Sequence, residues 1–230
     1  MKATKAGISG EILMLDYRKA IFWPRKNWLL IADFHIGKGA HFRSNGIAAP
    51  IFLNSLNLKN LNALLKCYPV QQVIFLGDLF HSRYNQDWES FSRLLKAYQQ
   101  IKFLLITGNH DILDQDLYHQ VAMETRLFLN EPPFCLTHHP TRTDELYNLA
   151  GHIHPGILLR GKARQSMRMP CFIFGERQGL LPAFGNFTGL ATVKATKNDL
   201  VYGVAGQEVI GIQVASDDAE QEARAVRHSK

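Results

Sequence analysis

Residues 28–35 read WLLIADFH, and the fold class follows from this stretch and its repeats. Five apolar residues, Trp28–Ala32, run without a polar interruption and end in Asp33 and His35. A short apolar run that does not alternate with polar residues is typical of a strand covered on both faces. We therefore predict a buried strand with an aspartate and a histidine just after its end.

The same pattern recurs along the first two thirds of the chain. Further apolar runs of strand length lie at 73–76, 103–106 and 134–136. Helical periodicity separates them over 50–66 and over 87–100. Strands that alternate with helices predict a layered α/β domain. After residue 154 the pattern changes to short strands joined by hairpins, at 172–174, 180–182, 199–202 and 209–212.

The composition is that of an ordinary globular protein, with 46% hydrophobic and 20% charged residues in 230. We predict one domain over 1–216, followed by a charged tail over 217–230. No window approaches the roughly 18–20 apolar residues that span a bilayer, and no signal peptide is visible, so we expect a cytoplasmic protein without a membrane partner. The three cysteines are too widely spaced to indicate a disulfide framework or a cysteine zinc site.

Polar clusters follow the apolar runs at five places. They are Asp33-Phe34-His35, Gly77-Asp78, Gly108-Asn109-His110-Asp111, His138-His139 and Gly151-His152-Ile153-His154. A mixed set of aspartate, asparagine and histidine favours transition metals over magnesium or calcium. Two neighbouring cations need a shared anionic ligand, and Asp78, alone at the end of its run, is the natural bridge. The clusters together predict a two-metal hydrolytic site.

Spacing within the clusters suggests how the ligands act. Asp33 and His35 are two residues apart, as are His152 and His154, so on an extended segment each pair points to one side and can bind one ion. Gly151 leaves room for a close backbone approach. Alternation on a strand would point His138 and the adjacent His139 to opposite sides, so that only one of the two binds metal.

These motifs, in this order over nearly the whole chain, resemble the signature of the calcineurin-like metallophosphoesterases. Further segments, at 32–38, 42–43, 77–82, 138–140 and 181–189, resemble the bacterial ligase-associated DNA-repair (PdeM-type) members of that superfamily. The resemblance implies a four-layer αββα sandwich, in which two mixed β-sheets are flanked by helices. It also implies two divalent metal ions, with Mn²⁺ expected and Fe or Zn as alternatives.

The resemblance assigns the metal ligands as well. The first metal would be held by Asp33, His35, Asp78 and His154. The second would be held by Asp78, Asn109, His138 and His152, with His138 chosen over His139 because it aligns with the ligand position of the family.

Other residues are candidates for catalysis and substrate binding. By the resemblance His110 is the proton donor to the leaving group, and Asp111 could orient its imidazole and hold it protonated. Lys38, Arg43 and His81 follow the first two clusters and could contact phosphate oxygens.

Two further features could bind nucleic acid. The basic cluster Arg160, Lys162, Arg164 and Arg168 either extends a nucleic-acid groove or forms a solvated loop. Phe42, Phe80 and Phe184 could stack on bases only if they are exposed.

The resemblance implies a phosphodiesterase or endonuclease that acts on DNA in repair, in association with an ATP-dependent ligase and a helicase. The net charge of +6 suits a polyanionic substrate. Two alternatives stay open. One is a hydrolase of cyclic or lipid-linked nucleotides, such as a UDP-diacylglucosamine pyrophosphatase, although no apolar lid segment is obvious. The other is a non-catalytic metal-binding scaffold. Oligomeric state is left open.

Overall fold

Two mixed β-sheets pack face to face in the computed structural model, which describes residues 3–38, 53–80, 84–160, 165–186 and 188–214. The predicted α/β sandwich of two mixed sheets is thereby confirmed. The predicted tail over 217–230 lies outside the described residues, and the domain boundary at residue 216 stays a prediction. None of the helices in the described part of the chain has the length and apolar character needed to cross a membrane.

The first sheet has seven strands in sequence order. They are β1 (Thr4–Ile8), β2 (Glu11–Asp16), β3 (Ala20–Trp23), β4 (Trp28–Ala32), β5 (Gln72–Leu76), β6 (Lys102–Ile106) and β7 (Met123–Arg126). Strands β1 to β4 pair antiparallel, whereas β4 to β7 pair parallel. Ala32 is in register with Leu76, and Leu76 with Ile106, so β4, β5 and β6 end at the same level.

The second sheet contains the remaining nine strands. They are β8 (Phe128–Glu131), β9 (Phe134–Thr137), β10 (Tyr147–Ala150), β11 (Pro155–Arg160), β12 (Ser166–Phe174), β13 (Gln178–Leu180), β14 (Ala191–Thr192), β15 (Leu200–Ala205) and β16 (Glu208–Ile212). The order is β14-β11-β12-β13-β10-β9-β8, with the predicted hairpin β15-β16 branching from β12. Strands β9 and β10 are parallel and end level, with Thr137 opposite Ala150.

The helices pack on the outer face of the first sheet. They are α1 (Leu53–Cys67), α2 (Gln86–Lys96) and α3 (Gln115–His119). The Asn85 side chain caps α2 by accepting a hydrogen bond from the Asp87 amide. Helix α2 ends four residues before the predicted limit, because the amides of Ala97 and Tyr98 bond the carbonyls of Leu94 and Leu95 in a tightened last turn.

Burial on both faces explains why the central strands are apolar throughout. In β4, Leu29 and Ile31 pack in the cluster beneath the helices, whereas Leu30 and Ala32 pack in the cluster between the two sheets. The outer face of the second sheet is covered differently. Val193 and Ala195 pack there on Cys171, and no helix among the described residues covers that face.

Candidate metal centre

All five polar clusters lie just after strand ends. Asp33 follows β4, Asp78 follows β5 and Asn109 follows β6, in the sheet where these strands end level. His138 follows β9 and His152 follows β10, which end level in the other sheet. The packed sheets thus bring residues that are up to 121 positions apart in the sequence to one edge of the sandwich.

The first group of side chains is Asp33, His35 and His154, whose ligand atoms all lie within 4.8 Å of one another. The two Nε2 atoms of His35 and His154 are 3.2 Å apart, and His154 Nε2 is 3.5 Å from Asp33 Oδ1. His154 Nδ1 lies 3.3 Å from the carbonyl of Gly189. Because a carbonyl only accepts, Nδ1 is the donor in this contact, and Nε2 faces the group.

The second group centres on His138. Its Nδ1 donates to the Leu76 carbonyl at 3.0 Å, which turns Nε2 toward the other side chains of the group. That Nε2 lies 3.1 Å from Asn109 Oδ1, 3.4 Å from Asp78 Oδ1 and 3.2 Å from His152 Nδ1. An amide oxygen, a carboxylate oxygen and an imidazole nitrogen therefore converge on one ring nitrogen, an arrangement that suits shared binding of a metal ion.

Asp33 provides an independent test of whether a cation fits. Its side chain is fully buried; Oδ2 accepts a 2.8 Å hydrogen bond from the His152 amide, but Oδ1 has no hydrogen-bond partner in the described structure. A buried carboxylate oxygen without a partner is costly unless a cation satisfies it. Asp33, Asp78 and His138 also form a group within 4.8 Å, which links the two sets of side chains. The residues present therefore fit metal ions, and their N and O donors suit a transition metal.

Five candidate ligands have left-handed backbone conformations. The φ angles of Asp33, His35, Asp78, His152 and His154 lie between 49° and 67°. Such angles are uncommon for residues other than glycine and concentrate at functional sites, where the surrounding structure holds them. These residues are therefore not on extended segments, and the prediction that extended backbone would point each pair to one side is wrong. His152 and His154 fall in different groups of possible ligand atoms, and their assignment to separate ions stays a prediction.

Two glycines make room for the ligands. A Cβ on Gly151 would lie 2.7 Å from Asp33 Oδ2, which confirms the predicted close approach at that position. A Cβ on Gly77 would lie 2.1 Å from His138 Nδ1, and the φ of Gly77 is +77°. Both contacts are far inside van der Waals distance, so a side chain at either position would displace a ligand.

His139 lies closer to the centre than strand alternation suggested. Strand β9 ends at Thr137, so alternation no longer applies to the next two residues. The ring of His139 is exposed, yet its centroid is 4.0 Å from that of His152 and 4.7 Å from that of His138. His138, His139 and His152 form a third group of possible ligand atoms. The choice of His138 as ligand stays a prediction, which its burial and its bond to Leu76 support.

The protonation state of His152 favours metal binding. Burial lowers the pKa of His152, and the neighbouring His139 and His138 lower it further, while Asp33 and Asp78 act in the opposite direction. The net effect favours the neutral imidazole, which is the form that binds metal.

His110 lies beside Asp78 at the open side of the centre. Its amide donates to Asp78 Oδ1 at 3.0 Å, and its Nε2 is 4.0 Å from Asp78 Oδ2. The His110 side chain is 46% exposed, so it can reach a substrate from solvent. The role of proton donor stays a prediction that this position permits.

The structure gives Asp111 different partners from the one expected. Oδ1 accepts from the amides of Leu79 and Phe80 at 2.8 and 3.2 Å, and Oδ2 accepts from the Gly108 amide at 2.8 Å. Burial raises the pKa of Asp111 to about 6, while these amides act to lower it. The carboxylate thus ties the loop after β6 to the loop after β5, and the geometry offers no support for its orienting His110.

Only part of the predicted phosphate-binding set can be placed. Lys38 is half-buried; burial lowers its pKa, and the charges of Asp78 and Asp33 raise it, so its ammonium lies within electrostatic reach of the centre. Arg43 and His81 lie outside the described residues, as do Lys162 and Arg164 of the basic cluster. Arg168 is exposed on β12.

The expectation of base stacking is wrong for two of its three candidates. Phe80 and Phe184 are fully buried, and Phe42 lies outside the described residues. Phe184 instead stacks on Phe34 with ring centroids 4.8 Å apart.

The segment at 181–189 supports the first ligand loop, a role that sequence reasoning missed. The amides of Phe184 and Gly185 donate to the carbonyls of Ala32 and Asp33 at 2.8 and 3.0 Å. The Nζ of Lys19 donates to the Gly185 carbonyl at 3.0 Å. The contacts are made by backbone groups of Phe184 and Gly185, which no side-chain motif in the sequence could have indicated.

Comparisons with known proteins agree with this geometry. Residues 27–167, more than half of the chain, match the model of the calcineurin-like phosphoesterase family. The crystal structure of the nuclease MPE from Pseudomonas putida matches with a TM-score of 0.78 and 32% sequence identity, over 91% of this chain and 100% of that one.

Other likenesses are weaker. A protein of unknown function from Aquifex aeolicus matches with a TM-score of 0.41 and 20% identity, over 55% of this chain and 78% of that one, which is too remote for comparison of sites. No curated protein sequence matches the chain. The family match rests on the segment that contains the strand ends and polar clusters described above. The chain therefore belongs to the calcineurin-like phosphoesterases and is a metal-dependent phosphoesterase.

Proposed function

We propose that the chain is a nuclease that hydrolyses phosphodiester bonds of DNA with two divalent metal ions. The observation that carries the proposal is the convergence of nitrogen and oxygen atoms of the metal-binding type from both sheets on His138 Nε2 and on His154 Nε2. The 32% identical structure is that of a nuclease, which favours a nucleic acid as the substrate.

The two groups of side chains divide the ligands. Asp33, His35 and His154 would hold one ion, Asn109, His138 and His152 the other, and Asp78 would be shared. When bound, the ions neutralise phosphoryl oxygens and lower the pKa of bound water toward neutrality. Resemblance to the family favours Mn²⁺, and the imidazole nitrogens of the donor set suit Fe or Zn as alternatives.

Residues of the chain itself would complete the reaction. His110 Nε2, on the exposed side of Asp78, would give a proton to the departing alkoxide oxygen. The Lys38 ammonium would contact a nonbridging phosphate oxygen and restrain the substrate. Asp111 keeps both loops in place through its three amide hydrogen bonds, so its contribution is positional.

The biological setting is part of the proposal. Resemblance of segments 32–38, 77–82 and 181–189 to ligase-associated metallophosphoesterases supports action in DNA repair, in the cytoplasm and beside a ligase and a helicase. Co-purification of the chain with an ATP-dependent ligase would test that association separately from catalysis.

The test of the activity uses metal-stripped protein reloaded with Mn²⁺, Zn²⁺ or Mg²⁺. An aryl phosphodiester, an aryl phosphomonoester, single- and double-stranded DNA and a UDP-lipid are offered in turn. We expect Mn²⁺ to restore cleavage of the diester and of DNA. Cleavage of the UDP-lipid alone would replace the proposed substrate, and no cleavage by any metal-loaded form would favour a scaffold.

A pair of substitutions makes the test specific. Asp78→Asn removes the charge proposed to be shared while keeping the side-chain volume, and we expect hydrolysis to fall to background. Asp116→Asn makes the same change on the exposed first turn of α3 and should leave hydrolysis unchanged. Equal activity of the two variants would contradict the proposed role of Asp78.

A further inference from the structure

A cavity of about 680 Å³ opens beside the second group of ligands. Its walls include Thr107, Leu127, Phe128, Asn130, His138 and His139. From this cavity we propose a binding site for the nucleobase next to the scissile phosphate, with Phe128 as the stacking residue. The proposal rests on the proposed function, and it adds the part of the nucleotide that the protein recognises besides the phosphate.

The cavity exists because the chain crosses from one sheet to the other at this point. Leu127 is the single residue between β7, at the edge of the first sheet, and β8, at the edge of the second. In the second sheet Phe128 pairs with Thr137, and Asn130 pairs with Cys135. All four line the cavity, which places them on the face of β8 and β9 that points away from the core.

Two apolar side chains in this cavity face solvent. Leu127 is 80% exposed and Phe128 is 54% exposed. Contiguous exposed apolar groups that are rimmed by polar residues mark ligand-binding grooves. An exposed aromatic ring offers the flat face on which a base stacks, a contact worth about 1–3 kcal/mol for each base.

The charges around the cavity favour a neutral occupant. Asp144 and Glu145 also line the cavity. Their carboxylates would repel a second phosphate, but they accept hydrogen bonds from the amino groups of bases. Asn130 and Thr107 add amide and hydroxyl groups that can pair with a base edge. The walls therefore suit an aromatic heterocycle better than the sugar-phosphate backbone.

Continuity with the metal centre sets the position of the base. His138 belongs to the second group of ligands and also lines the cavity, as does His139. A phosphate held at the centre would therefore place one of its two ester substituents at the mouth of the cavity. The expected stacking residues Phe80 and Phe184 are buried elsewhere, which leaves Phe128 as the exposed aromatic wall among the cavity residues.

The experiment compares substrates with and without a base. Three esters share the p-nitrophenolate leaving group: thymidine 5′-(p-nitrophenyl phosphate), thymidine 3′-(p-nitrophenyl phosphate) and methyl p-nitrophenyl phosphate. Contacts between the leaving group and the protein therefore cancel when their KM values are compared. For the wild-type protein loaded with Mn²⁺, we expect at least one thymidine ester to have a KM about 5- to 150-fold below that of the methyl ester. This ratio corresponds to the binding free energy of one stacked base.

Substitutions then locate the effect. Phe128→Ala should raise the KM of that thymidine ester to the level of the methyl ester, with kcat for the methyl ester unchanged. Phe128→Trp should keep the low KM, and Phe128→Leu should lose most of it because an aliphatic chain does not stack. Ile210→Ala, at a residue 47% exposed on β16, is the control for loss of an exposed apolar side chain.

The outcomes separate this inference from the proposed function. Equal KM values for all three esters in the wild-type protein would overturn the base site while leaving the diesterase intact. A low KM that survives Phe128→Ala would overturn the base site as well. No hydrolysis of any ester or of DNA would instead overturn the proposed function. If Phe128→Ala fails to fold, the bulkier Phe128→Leu makes the same comparison.

Discussion

The Nε2 atoms of His35 and His154 lie 3.2 Å apart, although the two residues are 119 positions apart in the sequence. His35 lies in the loop after β4 of the first sheet, and His154 lies in the loop after β10 of the second sheet. An ion bound between them would therefore join the two sheets. A ligand that binds only the folded state stabilises it, so metal content and stability should be linked in this protein.

We accordingly expect chelation to lower the melting temperature. A metal present at about 100 times its Kd contributes about 2.7 kcal/mol, which corresponds to roughly 5–10 °C for a chain of this size. His154→Ala should reduce the metal bound per chain and should shrink the shift caused by chelation. His119→Ala removes an exposed histidine from α3 and should alter neither quantity. Thermal unfolding and elemental analysis of the dialysed proteins measure both, and an unchanged metal content in His154→Ala would contradict its role as a ligand.

His110→Ala should slow hydrolysis in proportion to the basicity of the leaving group. An alkoxide leaving from DNA needs a proton, and a positioned general acid contributes about 10²–10⁴-fold to such a step. p-Nitrophenolate is a stable anion and leaves without one. We expect a large loss of kcat on DNA, a small loss on an aryl diester and an unchanged metal content.

The comparison of the two substrates serves as its own control, because a general disruption of the centre would slow both equally. Equal losses on DNA and on the aryl diester would therefore remove His110 from the role of proton donor.

Sequence reasoning located the central strands and the ligand clusters for a physical reason. Strands β4, β5 and β6 are buried on both faces, so they read as continuous apolar runs, and their ligands follow at once. Strands β1 to β3 did not stand out. In β1 buried and exposed residues alternate, and β3 has only four residues. Strand β10 contains the buried Asn148, whose amide bonds Cys135 and Thr137, and this polar residue interrupts the apolar run.

Other features depend on the tertiary structure and leave no local trace. The left-handed angles of the ligand residues are held by neighbouring loops, as where the His35 amide donates to the Asp78 carbonyl at 2.9 Å. Asp111 is adjacent to His110 in sequence, but its partners are amides that the fold brings to it from another loop. Phe128 is exposed beside the centre because the chain crosses there between the sheets.

Gly77→Ala should destabilise the protein and weaken metal binding together. The substitution adds a left-handed alanine, at about 1–2 kcal/mol, and places its Cβ 2.1 Å from His138 Nδ1. The imidazole ring must then move away from the Leu76 carbonyl that orients it. Urea unfolding and Mn²⁺ titration measure the two effects.

Gly10→Ala is the matched control for the cost of a left-handed alanine backbone. Gly10 has a φ of +81°, close to the +77° of Gly77, and a Cβ there would meet nothing within 4 Å. Gly10→Ala should lose only the stability expected from placing alanine in a left-handed backbone conformation. Its affinity for Mn²⁺ should equal that of the wild-type protein. If both variants bound Mn²⁺ equally well, the close approach of Gly77 to His138 would not contribute to metal binding.

Lys19 should make the stability of the protein depend on pH above neutrality. Burial lowers the pKa of Lys19 from 10.5 to about 8, and its Nζ donates to the Gly185 carbonyl. Below pH 8 the side chain is charged in both states and the cost of burying the charge is fully present. Between pH 8 and 10.5 the folded protein binds fewer protons than the unfolded chain, so this cost is relieved as the pH rises.

We therefore expect the wild-type protein to gain about 2–3 kcal/mol relative to Lys19→Met between pH 7 and pH 10. Urea unfolding of both proteins at each pH measures this difference in stability. Buried groups that both proteins share, such as Cys171 and Tyr68, ionise equally in the two and cancel. Lys5→Met is the control, since it removes a lysine that folding leaves exposed on β1. If the difference between wild type and Lys19→Met stayed constant from pH 7 to pH 10, the ammonium would keep its hydration in the folded protein. Its hydrogen bond to Gly185 would then restrain the 181–189 segment without any burial of charge.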